Sequence, residues 1–119
     1  MRSHNLYLKD ISESIERIIG YTKGIDYEAF VESTMVFDAV VRNFEIIGEA
    51  AGNIPDSIKS KFPGIPWTDM VGMRNILIHG YFGVDYSIVW NTIELLPNLQ
   101  IEISRVLQQR ETESQKNQE

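Results

Sequence analysis

From Thr34 to Gly52 the chain reads TMVFDAVVRNFEIIGEAAG, with Val36, Phe37, Val40, Val41, Phe44, Ile47 and Ala51 returning every three or four residues. That spacing gathers them on one side of an α-helix, whose neighbours along a face lie three and four apart. The period-two alternation of a half-buried strand appears nowhere in the sequence. So wide an apolar stripe has to be covered by other helices. The expectation is an all-α bundle without a sheet.

The rest of the chain supplies those helices. Leu8, Ile11, Ile15, Ile18 and Ile19 predict an amphipathic helix over about residues 5 to 20, ended by Gly20 and Gly24. Asp26 is placed to cap a short turn over Tyr27 to Val31, and Ser33 or Thr34 to cap the helix that follows. Pro55 and Asp56 open a short helical segment through Lys61, closed by Pro63, Gly64 and Pro66. Trp67, Met70, Val71, Leu77 and Ile78 predict the packed side of the next helix, with Gly72 allowing a neighbour to come close. Asp85 begins a last long helix through Ile88, Val89, Ile93, Leu96, Leu99, Ile103 and Leu107, which Pro97 must kink or break. The domain thus spans 1–107, and the polar, aperiodic residues 108–119 read as a frayed or disordered tail.

Composition removes several classes of function. A chain of 119 residues, 43% of them hydrophobic, forms one domain with one core. No apolar run approaches the roughly 20 residues of a membrane span, and the start of the chain lacks the apolar core of a signal peptide. With no cysteine there is no disulfide, thiolate metal site or cysteine nucleophile. These features suit a cytoplasmic protein. A net charge of −6 speaks against a general nucleic-acid coat, yet leaves room for a small basic site. There is no phosphate-binding glycine loop, no HExxH and no paired acidic metal box, and two histidines this far apart in sequence speak against a zinc site. Neither a metal nor a cofactor is expected.

Chemistry concentrates in Arg74-Asn75-Ile76-Leu77-Ile78-His79-Gly80-Tyr81. Arginine keeps its proton and offers a fork of donors to phosphate oxygens, and histidine exchanges a proton near neutral pH. Asn75 and His79 share a helix face at i, i+4, so the amide is placed to orient the imidazole. Arg74 and Tyr81 nearly align at i, i+7. Arg74 and His79, however, stand roughly 140° apart around a helix. They meet at one phosphate only if the helix ends at His79 and Gly80, or if a second chain completes the site. The polar face of the Thr34–Gly52 helix, with Arg42, Asn43 and Glu45, is a candidate lining for the same cleft.

An arginine, a polar residue, three positions, a histidine, any residue and a tyrosine form the motif of the HEPN ribonuclease superfamily. With Arg42-Asn43-Phe44-Glu45-Ile46-Ile47-Gly48-Glu49-Ala50 before it and Tyr81-Phe82-Gly83-Val84-Asp85 after it, this chain resembles the HepT branch from about Leu6 to Leu107. The resemblance implies an up-and-down bundle of four to five helices that pairs as a homodimer, with two motifs facing one cleft. It also implies an endoribonuclease toxin of a toxin–antitoxin pair, cutting mRNA or tRNA without metal. Arg74, Asn75 and His79 would be its catalytic residues. The antitoxin would be an MNT-type nucleotidyltransferase that transfers AMP to Tyr81, where a bulky anion blocks the cleft and repels phosphate.

Each of these residues also has a plainer account. His79 suits the negative end of a helix dipole, Arg74 suits a surface ion pair, and Tyr81 suits the edge of a core. Arg42 with Glu45 or Glu49 needs only to be a surface pair. The rival function is a non-catalytic helical module that binds and positions a nucleotidyltransferase. Substitution of Arg74 and His79 separates the two.

Overall fold

The computed structural model describes residues 3–80 and 85–117, with side chains to residue 113. Those residues form seven helices and no strand: α1 His4–Thr22, α2 Tyr27–Glu32, α3 Thr34–Gly52, α4 Asp56–Lys59, α5 Trp67–His79, α6 Tyr86–Ile93 and α7 Leu96–Asn117. The all-α expectation holds. Two of the seven, α2 and α4, are short, and α6 and α7 are the halves of the expected last helix. Pro97 is the second residue of α7, where a missing N–H would have had no intrahelical partner anyway.

Three of the starts are capped by the residues the sequence nominates. Asp26 Oδ1 accepts from the Ala29 N–H at 2.9 Å, Ser33 Oγ from Val36 at 3.2 Å, and Asp85 Oδ1 from Ser87 at 2.8 Å. Gly24, in the connection between α1 and α2, has φ +77, where a side chain is disfavoured. Gly20 lies inside α1, which continues to Thr22.

The core runs through α1, α3 and α5, with α7 laid along α1. Leu8, Ile11, Ile15 and Ile18 of α1 are fully buried with Val40 and Ala51 of α3. A second cluster, all aromatic, ties α2 to α3 and α6. Phe30 stands 5.7 Å from Phe37, 5.1 Å from Trp90 and 6.4 Å from Tyr86 between ring centroids. This cluster anchors the chain that follows α5.

Four local expectations are corrected. Close approach of α3 and α5 depends on Gly48, not Gly72. A Cβ on Gly48 would fall inside contact distance of the Arg74 Cβ and 2.7 Å from the Met70 carbonyl oxygen, whereas one on Gly72 would meet nothing within 4 Å. Ile78 does not join the packed side of α5 but is 43% exposed. The short helix after Pro55 closes at Lys59, ahead of Lys61. Helix α7 carries on past Gln108 to Asn117. Its Glu, Gln, Arg and Lys residues are good helix formers even without an apolar period, and Arg110 Nε donates to Asn5 Oδ1 at 2.6 Å, tying it to α1.

The Asp85 cap has a pH signature. Hydrogen bonds from the Ser87 hydroxyl and amide hold its carboxyl below the ordinary carboxylate range. A depressed acid stabilises the fold above its unfolded value and loses that contribution as pH falls through the folded one. The Ser87 amide resonance is expected to titrate with a midpoint below that of a free aspartate. A midpoint at or above the free value would show that the cap does not form.

Candidate functional site

The motif occupies the last two turns of α5. That helix stops at His79, and the Gly80 N–H returns to the Ile76 carbonyl at 2.8 Å. Gly80 has φ −119, so the ending needs no left-handed residue, although a Cβ there would crowd the Ile76 oxygen at 2.9 Å. The helix therefore ends where a site built from Arg74 and His79 requires it. Tyr81 lies outside the described residues.

Arg74 is half-buried, and its stem lies across α3 at Gly48. Asn75 and His79 are exposed. Among the described residues none of the three has a hydrogen bond or ion pair from its side chain. Asn75 and His79 share a face, as their spacing demands, but the amide does not hold the imidazole. No described residue occupies their donors and acceptors. Around them stand apolar groups, with Ile76 53% and Ile78 43% exposed, while Leu77 faces the core.

The three α3 residues proposed for the cleft separate. Arg42 pairs with Glu45 at 3.6 Å on the surface, the plainer of their two accounts, and such a pair contributes about 0–1 kcal/mol. Asn43 is only 6% exposed, and its Nδ2 donates to the Ala39 carbonyl at 2.9 Å. It stands roughly 140° around α3 from Gly48, so it turns into the core and away from α5. Among the described residues its Oδ1 is buried without a hydrogen-bond partner, as is Ser14 Oγ of α1. Glu45, roughly 60° from Gly48, is the one of the three on the α5 side.

The residue that the sequence did not disclose is Gly48. It stands in the block before the motif, but only the packing of α3 on α5 shows that it lies under Arg74. Among the described residues there is also no group of three or more His, Cys, Asp or Glu placed to hold a metal ion.

Fold and helix end together define an all-α bundle with a guanidinium, an amide and an imidazole presented at its surface. Residues 11–106 match the family model described as "Ribonuclease HepT-like". The chain belongs to that family of HEPN-type ribonucleases. A Methanocaldococcus jannaschii protein named as a "putative RNase" is 45% identical over 106 residues, spanning 88% of this chain and 97% of the relative. The "probable ribonuclease HepT" of Thermococcus cleftensis is 48% identical over 99 residues, spanning 82% and 90%. A second "putative RNase", from Caldanaerobacter subterraneus, is 41% identical over 109 residues, spanning 91% and 97%. No solved structure matches the chain. No described helix is long and apolar enough to cross a membrane.

Proposed function

We propose that this ribonuclease is a metal-independent endoribonuclease and the toxin of a toxin–antitoxin pair, acting on RNA in the cytoplasm. The observation that carries the proposal is the state of Arg74 and His79. Both stand on the last turns of α5 with no hydrogen bond or ion pair among the described residues. A guanidinium and an imidazole without protein partners keep the donors that a phosphate takes and the nitrogen that a proton needs.

His79 takes the proton of a ribose 2′-OH as that oxygen attacks the adjacent phosphorus. The bond from phosphorus to the 5′ oxygen breaks, and that oxygen leaves with a proton from solvent or from a second imidazole. Arg74 stabilises the charge that develops on the phosphoryl oxygens, and Asn75 contacts the scissile phosphate. The products are a 2′,3′-cyclic phosphate and a 5′-hydroxyl.

A homodimer completes the site. Arg74 and His79 diverge by roughly 140° on one straight helix, and a second copy brings its own arginine to the first copy's histidine. The exposed Ile76 and Ile78 beside them give such a face its apolar area. The antitoxin, an MNT-type nucleotidyltransferase, silences the toxin by transferring AMP from ATP to Tyr81. The tyrosine oxygen bonds to the α-phosphorus and pyrophosphate leaves.

Growth on induction tests this function. The parent is expected to arrest cells, and Arg74→Ala and His79→Ala to be harmless. Co-expression of the nucleotidyltransferase is expected to rescue growth and add AMP mass to the parent but not to Tyr81→Phe. Harmless parent and variants would favour the non-catalytic binding module, and equal toxicity of all three would place the site elsewhere.

A further inference from the structure

We infer that Gly48 is a positioning residue for the cleavage: by having no side chain it seats the stem of Arg74 on the backbone of α3 and so fixes where the guanidinium stands. The inference rests on the proposed role of Arg74. Of the three atoms nearest a Cβ built on Gly48, two belong to the Arg74 side chain, its Cβ and its Cγ at 3.3 Å, and the third is the Met70 oxygen at 2.7 Å. Gly52, one turn along the same interface, would meet only Val71 Cγ2 at 3.9 Å. Among the described glycines, Gly48 alone would drive a Cβ into another helix at less than 3.0 Å.

Backbone against stem leaves little room for either to yield. An arginine side chain is otherwise among the most rotationally free. Packing its first two carbons on α3 restricts the rotamers that carry the guanidinium, and a group held by packing starts the reaction in place. Methyl substitution at Gly48 must push the Arg74 stem or the α5 backbone outwards. Displacement of a catalytic group by about 1 Å can cost on the order of 100-fold in rate.

The test measures single-turnover cleavage of a labelled mixed-sequence RNA, with protein in excess so that slow rates remain readable. Gly48→Ala is expected to lower the maximal rate by about 10–100-fold, with the half-saturating protein concentration little changed. Gly52→Ala is expected to behave as the parent. In an Arg74→Ala background, Gly48→Ala is expected to cost clearly less than it does in the parent, because the guanidinium is gone and only the contacts with the residue-74 Cβ and the Met70 oxygen stay. A parental rate for Gly48→Ala, or the same loss with and without Arg74, would overturn the inference. If Gly48→Ala folds poorly, the comparison is repeated in a Gly20→Ala background, where an exposed glycine of α1 with nothing within 4 Å of its would-be Cβ is replaced by a better helix former to offset the loss. Collapse even in that background would assign Gly48 a purely structural role. Parental cleavage by Arg74→Ala itself would instead defeat the proposed role of Arg74, and so be told apart.

Discussion

His79→Ala is expected to lower the rate of RNA cleavage by about 10²–10⁴-fold, the usual contribution of a positioned acid or base, and to leave the fold intact. The second half of that expectation comes from where His79 stands. It is exposed on the final turn of α5 and makes no hydrogen bond or ion pair among the described residues. Surface substitutions of this kind change stability by no more than about 0.5 kcal/mol. Loss of activity with an unchanged melting transition therefore isolates chemistry from folding. A variant that cleaves at the parental rate would remove His79 from the mechanism. Loss of activity together with loss of fold would mean that His79 is a structural residue.

The largest expected effect on stability is at Phe30. Its ring is fully buried and stands against Phe37, Trp90 and Tyr86, so three helices meet on one side chain. Phe30→Ala removes the ring and leaves a cavity among Phe37, Tyr86 and Trp90. The cost expected for such a truncation is about 3–5 kcal/mol. Denaturant unfolding followed by tryptophan fluorescence reads it well, because Trp90 lies in the cluster and Trp67 lies on α5. Protein concentration must be fixed, since self-association raises apparent stability. A loss below about 1 kcal/mol would show that the cluster contributes little and that α2 and α6 are held by other contacts.

The two substitutions probe different layers of the same chain, and the sequence disclosed those layers unequally. The α3 stripe from Val36 to Ala51 and the caps Asp26, Ser33 and Asp85 are local patterns, and each is found where its spacing puts it. The end of α5 was legible for the same reason, as Gly80 follows His79 directly. What periodicity does not encode is which helix lies against which face, and in what register. Gly48 and Gly72 look alike in sequence, yet only Gly48 lies under a neighbour. Asn43 shares the polar character of Arg42 and Glu45, but its angle on α3 turns it into the core. Ile78 fits the apolar side of α5 by type and is nevertheless exposed, because burial depends on what stands opposite. The polar residues after Gln108 lack a stripe but not helix propensity, and α7 continues through them.

The proposed site is read from three residues, Arg74, Asn75 and His79. Their types suit phosphate chemistry, and among the described residues no hydrogen bond or ion pair occupies their side chains. Five positions of helix, however, cannot bring a guanidinium and an imidazole to one phosphorus. In the proposed mechanism a second copy supplies the missing geometry, and that is not written in the spacing of one chain.

The chemistry of the RNA ends made by the purified protein, with a chelator present, tests the central claim most directly. Cleavage through Arg74 and His79 predicts 2′,3′-cyclic phosphate and 5′-hydroxyl ends, formed at the same rate with chelator as without, and absent from reactions of Arg74→Ala and His79→Ala. Ends carrying a 3′-hydroxyl and a 5′-phosphate, or cleavage that stops with chelator and returns with magnesium, would contradict it.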